Sequence, residues 1–204
     1  MGLLSSSASI TQYRVEGRLE DPIMESIQRG LQNNAISDID NDSEEMVVGW
    51  TSFENPFTPD FSGSGFVIGS HFVFSLRIDK KSIPAKVLKK HYAVELAKKL
   101  AESERDFLSK SEKKELKEHV IRVLNLRIPA TPSVYDVVWN YEEGLLWFFT
   151  SLKAANEELE TLFSRSFKMS LIRLFPFTFC EFHCGLSEAD RDMVSTLQPT
   201  RWLE

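Results

Sequence analysis

The 204-residue chain reads as an α+β protein: an antiparallel sheet with helices packed on one face, built from two pseudo-related halves, with a projecting helical hairpin inserted between them. Three observations predict this. Strand-type alternation and helix-type spacing run strand-helix-strand-strand before residue 79 and strand-strand-helix-strand after residue 127, an order that suits one shared antiparallel sheet. Residues 84–124 between them carry helical spacing broken once, near residues 105–110. The same middle segment is basic in an acidic protein: Arg77 to Arg127 holds 15 of the 24 Lys and Arg but 8 of the 30 Asp and Glu, so it carries +7 while the remainder carries −13. The expected domains are residues 1–78 with 128–204 as the central body and 79–127 as the inserted tip.

The elements follow in order. From Ser9 to Glu16, Ile10, Tyr13 and Val15 stand among polar residues as in a strand. Asp21-Pro22 then opens a helix, Asp21 offering a cap and Pro22 suiting the first turn, with Ile23, Ile27 and Leu31 on one face. Residues 38–45 form an acidic connector. Its Asp-x-Asp-x-Asp start resembles a calcium loop, but Ser43 and Gly49 stand where Gly and Glu are needed, so it reads as a solvated loop. Met46–Phe53 and Gly65–Ile78 are expected strands, with a break or bulge at Gly69-Ser70. Ser133–Tyr141 and Leu145–Thr150 form a hairpin about Glu142-Glu143-Gly144. A helix is expected over 152–163, and Phe167–Phe182 reads as one or two strands because Phe175, Phe177 and Phe179 alternate.

The inserted segment divides into helices over Pro84 to about Glu104 and Ser111–Leu124, the second starting early because Ser109 and Glu112 have capping-box spacing. Lys110, Lys113, Lys114 and Lys117 fall at i, i+3, i+4 and i+7, a one-signed stripe, while Glu112, Glu115 and Glu118 turn elsewhere. Lys86, Lys89 and Lys90 share a face of the first helix. Concentrated positive charge attracts a polyanion, and nucleic acid is the first partner to consider.

Composition narrows the remaining classes. No run of about 18 apolar residues exists to span a membrane, and the first residues lack the basic and apolar regions of a secretory signal. A cytoplasmic protein is expected. Met1-Gly2 with Ser6 meets the loose myristoylation pattern without further support. Cys180, His183 and Cys184 offer at most three zinc ligands at an unusual spacing and read as ordinary thiols beside an aromatic strand. His71, His91 and His119 are scattered singly. No cofactor or metal is expected.

Several stretches together resemble the RdgC recombination-associated family. They are Gly49-Trp50; the run from Asp79-Lys80-Lys81 through Pro84 to Lys89-Lys90; Leu108-Ser109-Lys110 through Lys117 to Val120; and Gly144-Leu145-Leu146 ahead of Lys153 to Leu159. They are collinear over roughly residues 45–175, which is more specific than any one motif. The resemblance implies a nucleoid-associated binder of double-stranded DNA with little sequence preference, acting as a ring-shaped homodimer and restraining the RecA recombinase by occupying DNA. It also implies that the hairpin is a tip where subunits meet. Longer members have a further C-terminal portion, whereas this chain ends at Glu204, and the loop from Arg127 to Pro132 lacks the family's aromatic dimer contact. An interface using Leu174 to Phe179 is the alternative.

The expected DNA contacts are Lys80, Lys81, Lys86, Lys89, Lys90, Lys110, Lys113, Lys114, Lys117, Arg122 and Arg127, neutralising phosphates with release of counterions and no covalent chemistry. Two other classes compete. A metal-dependent nuclease would use Asp60, Asp79 and Lys81 as a Pro-Asp then Asp-x-Lys pattern, two carboxylates holding magnesium and the lysine assisting water. A protein-interaction module would dock an acidic partner on the basic hairpin, and random DNA would then fail to compete.

Overall fold

A computed structural model describes residues 2–103 and 105–197. The described elements are β1 (Thr11–Glu16), α1 (Ile23–Asn33), β2 (Met46–Thr51), β3 (Val67–Ile68), β4 (His71–Lys80), α2 (Ala85–Ser103), α3 (Lys110–Asn125), β5 (Thr131–Asn140), β6 (Leu145–Phe148), α4 (Lys153–Phe167), β7 (Ser170–Leu174), α5 (Pro176–His183) and α6 (Glu188–Thr196). The fold is α+β. Seven strands make one sheet in the order β2-β4-β5-β6-β1-β7, with β3 folded back on β4. Its registered pairs are antiparallel, among them Trp50 opposite Leu76 and Tyr13 opposite Leu146.

Local chemistry accounts for most of the boundaries. The expected break at Gly69-Ser70 is a tight reversal that pairs Ile68 with His71, and Gly69 supplies the left-handed turn at φ +62°. Gly144 does the same for the β5–β6 hairpin at φ +63°.

One expectation fails. After β7 the chain turns into α5 rather than a second strand. Pro176 has no N–H to lose in a first helical turn, Phe175 is extended at φ −131° before it, and the Thr178 hydroxyl accepts the Phe175 N–H at 2.9 Å. The alternation of Phe175, Phe177 and Phe179 is therefore not a strand face.

The chain divides into two compact units. The first comprises the described residues through Asn33, Phe61–Phe74 and the described residues from Tyr135 onward. Its centre is Trp139, fully buried, with the rings of Phe163 and Phe167 at 5.1 and 5.3 Å. Ile27 and Leu31, predicted to share a helical face, are fully buried on α1. The α1 backbone passes so near α4 that a Cβ on Gly30 would meet the Phe167 ring at 2.6 Å. Buried Tyr13 reaches polar partners: its hydroxyl lies 2.6 Å from Asn156 Oδ1 and 2.9 Å from Glu160 Oε1, and it accepts from Arg173 at 3.2 Å.

The second unit comprises Asn34–Asp60 and Ser75–Val134, and so includes β2 and the α2–α3 hairpin. Backbone at Asn34 and Ile36 bonds to Trp50 of β2, at 2.9 Å each. That approach needs Gly49, because a Cβ there would stand 2.5 Å from the Ile36 backbone. Leu116, Val120 and Leu124 form the buried stripe of α3 at four-residue spacing.

Candidate nucleic-acid interface

The hairpin forms where helical spacing predicts it, and its second helix is the better anchored. Ser109 sits extended at φ −63°, ψ 165°; its hydroxyl accepts the Glu112 N–H at 3.2 Å, and the Glu112 carboxylate accepts the Ser109 N–H at 2.8 Å. This reciprocal cap is the one the Ser-x-x-Glu spacing predicts. The Ser109 N–H and hydroxyl hold the Glu112 carboxyl below its usual range. Helix α2 buries no residue fully. Leu88, Tyr92, Leu96 and Leu100 are half-buried on one side, and Lys86, Lys89 and Lys90 are exposed on the other.

All four lysines of the α3 stripe are exposed. Among the described residues Lys110, Lys113 and Lys117 form no ion pair; Lys114 has Glu118 at 3.9 Å, with both side chains more than half exposed. A pair that open to water contributes little. The stripe occupies the first two turns of α3, where the helix dipole already favours anions, so the lysines oppose helix stability and raise the local positive potential.

The remaining expected contacts divide. Lys80 is exposed at the end of β4, and Arg127 is exposed just beyond α3. Arg122 is exposed but lies on the other flank of α3 from the lysine stripe, lining a groove of about 380 Å³ with Glu95, Glu102, Glu115 and His119. Carboxylates accompany it there. In the same groove Lys98 bonds Glu95 at 2.7 Å and holds that carboxyl below its ordinary range.

Lys81 is the exception. It is only 4% exposed, and its ammonium donates to the carbonyls of Asp40 at 3.2 Å, Asp42 at 2.7 Å and Asn125 at 2.7 Å. An ammonium has three donors, and all three are used, so the expected phosphate contact is corrected to an interior one. Sequence reasoning missed this because carbonyl acceptors belong to the backbone and leave no residue-type signal. The acidic connector is a loop as expected, with Asp38, Asp40, Asp42, Glu44 and Glu45 exposed, but its carbonyls face inward to Lys81.

Of the three residues of the nuclease pattern, two are engaged with other partners. Asp79 is buried with both carboxylate oxygens held by Arg77, and Lys81 is committed as above, while Asp60 is exposed in the loop that follows β2. Among the described residues no group of three or more His, Cys, Asp or Glu is arranged to hold a metal ion. Cys180 is half-buried on α5 and Cys184 is exposed just beyond it; the side chain of His183 lies outside the described residues.

Two further features were not predicted. Phe107, in the turn between α2 and α3, is 77% exposed. In the first unit a cleft of about 850 Å³ mixes Arg14 and Arg18 with Asp21, Glu142 and Glu143, so it lacks the single sign of the lysine stripe. No described helix is long and apolar enough to cross a membrane.

An antiparallel sheet together with a helical hairpin, whose second helix carries a face of exposed lysines, defines an α+β protein with a basic helical hairpin. The family described as "Putative exonuclease, RdgC" matches residues 8–178. The chain belongs to the RdgC family. No curated protein matches it.

Proposed function

We propose that this protein binds double-stranded DNA without reading its sequence, as a homodimer that encircles or clamps the duplex, and that by occupying DNA it limits the access of the RecA recombinase. The reading places it on the nucleoid, in the cytoplasm. The observation that carries it is the α3 lysine face, four exposed ammonium groups of which three have no ion-pair partner among the described residues. Lysines are point charges suited to phosphate and carry no base readout by themselves, which favours a sequence-independent mode. Lys86, Lys89 and Lys90 of α2 extend the same chemistry, with Lys80, Arg122 and Arg127 as weaker contributors. Phe107 supports the dimer: a large aromatic ring at the hairpin turn gains by burial in a second subunit.

Nuclease action, which the family's description names, is the second reading. It is weaker because the carboxylate and ammonium it needs, on Asp79 and Lys81, are both engaged inside the second unit. A gel-shift series with unrelated duplexes, followed by incubation with magnesium, separates the classes. Equal affinities and intact DNA support the proposal. Strong preference for one sequence, cleavage products, or failure of random DNA to compete with an acidic protein partner overturns it.

A further inference from the structure

Lys81 stands apart from the other cations of the basic segment, since it is buried and its ammonium is bonded to backbone carbonyls. Its three acceptors come from two chain segments far apart in sequence: the acidic loop supplies the carbonyls of Asp40 and Asp42, and the end of α3 supplies that of Asn125. Two more bonds tie the same parts together. Asn125 Nδ2 donates to the Ser43 carbonyl at 3.2 Å, and the Ala130 N–H donates to Asp40 Oδ1 at 2.8 Å.

We infer that Lys81 is a latch that fixes the root of α3 to the 38–45 loop, and so sets where the lysine face of α3 stands; it is a positioning residue for DNA rather than a phosphate ligand. This rests on the DNA-binding reading above. The last carbonyls of a helix lack partners in their own helix and lie at the negative end of its dipole, so an ammonium placed there satisfies both. Burying that ammonium is expensive unless its donors are satisfied, and the 38–45 loop supplies two of the three carbonyls that satisfy them, from Asp40 and Asp42. This gives the acidic connector a purpose that composition alone does not.

Lys117 is eight residues from Asn125 and Lys110 fifteen, so at the helical rise they stand about 12 and about 22 Å along α3 from the latch. A tilt of about 10° at the root would carry Lys110 through about 4 Å, comparable to the ~3.4 Å spacing of phosphates along one strand. Loosening the latch therefore blurs the register of the stripe on a duplex without removing any charge from it.

The test compares Lys81→Met, Asn125→Ala and, as a phosphate control, Lys117→Gln, reading duplex affinity across a salt series together with amide hydrogen exchange. Asn125→Ala keeps the Asn125 carbonyl but removes its bond to Ser43, and it serves if Lys81→Met does not fold. The latch predicts that Lys81→Met and Asn125→Ala weaken binding several-fold with the slope of log K against log salt unchanged, and speed exchange in residues 42–43 and in the last turn of α3. Lys117→Gln lowers the slope by about one unit and leaves exchange alone. A slope lowered by about one in Lys81→Met with exchange unchanged makes it a phosphate ligand and overturns the inference, as does unchanged exchange in both latch variants. Should the unaltered protein fail to bind duplex DNA, the functional reading falls, and exchange alone decides whether the latch exists.

Discussion

Arg77 and Asp79, two residues apart on β4 and hence on the same side of the strand, hold each other through a two-bond pair, with Nε to Oδ1 at 2.7 Å and Nη2 bonded to Oδ2. The side chains are 15% and 3% exposed. Arg77 also donates to the Pro56 carbonyl at 3.3 Å and lies over the Phe57 ring, so the pair anchors the loop after β2. Removing one member of a buried pair strands the other's charge. Asp79→Asn is therefore expected to cost about 3 kcal/mol in urea unfolding. Full stability with loss of DNA cleavage would instead point to a metal ligand.

Tyr13 gives a pH prediction. Burial, the largest influence, pushes its hydroxyl above the ordinary value of 10.0, with Glu160 adding to the rise and Arg173 opposing it. The folded form keeps the proton where the unfolded form releases it, so this contribution to stability is complete below pH 10 and is lost as the pH rises beyond it. Tyr13→Phe should lower stability at neutral pH by about 1–3 kcal/mol, because the buried Asn156 Oδ1 loses the Tyr13 hydroxyl. It should also flatten the alkaline decline, measured as unfolding midpoints from pH 8 to 12 alongside the unaltered protein.

Gly30→Ala tests the packing of the first unit. The added methyl would meet the Phe167 ring at 2.6 Å and the Ser166 carbonyl at 3.0 Å. Although alanine is the better helix former by about 1 kcal/mol, overpacking of this kind typically costs about 1–3 kcal/mol, so a net loss in thermal stability is expected. A gain would mean that α1 and α4 can move apart freely.

Phe107→Ser tests the dimer. With the ring 77% exposed, the substitution should leave the unfolding midpoint nearly unchanged, yet shift sedimentation toward monomer at micromolar concentrations. An unchanged sedimentation profile would place the subunit contact elsewhere.

Local signals made much of this legible. The Ser109–Glu112 cap, the Gly144 reversal, the Gly69 break and the buried Ile27–Leu31 face each follow from residue types within a few positions of one another, and each forms. Two readings fail, each for its own reason. On Phe175, Phe177 and Phe179, the alternation competed with the helix-starting chemistry of Pro176 and Thr178, and the latter won. On Lys81 the decisive partners are carbonyls of residues 40, 42 and 125, and a charged side chain seeking backbone from distant segments cannot be told from a solvated one by spacing. The separation of Arg122 from the lysine stripe was legible in principle, since five residues after Lys117 the helix has turned well away from that face.

The most direct test of the account is the salt dependence of duplex binding after Lys110, Lys113, Lys114 and Lys117 are all changed to Gln. If these four ammonium groups meet phosphates, the slope of log K against log salt should fall in magnitude by about 3–4 units, with the loss similar on unrelated sequences. A quadruple variant that remains folded and keeps both the affinity and the slope of the unaltered protein would contradict the central claim.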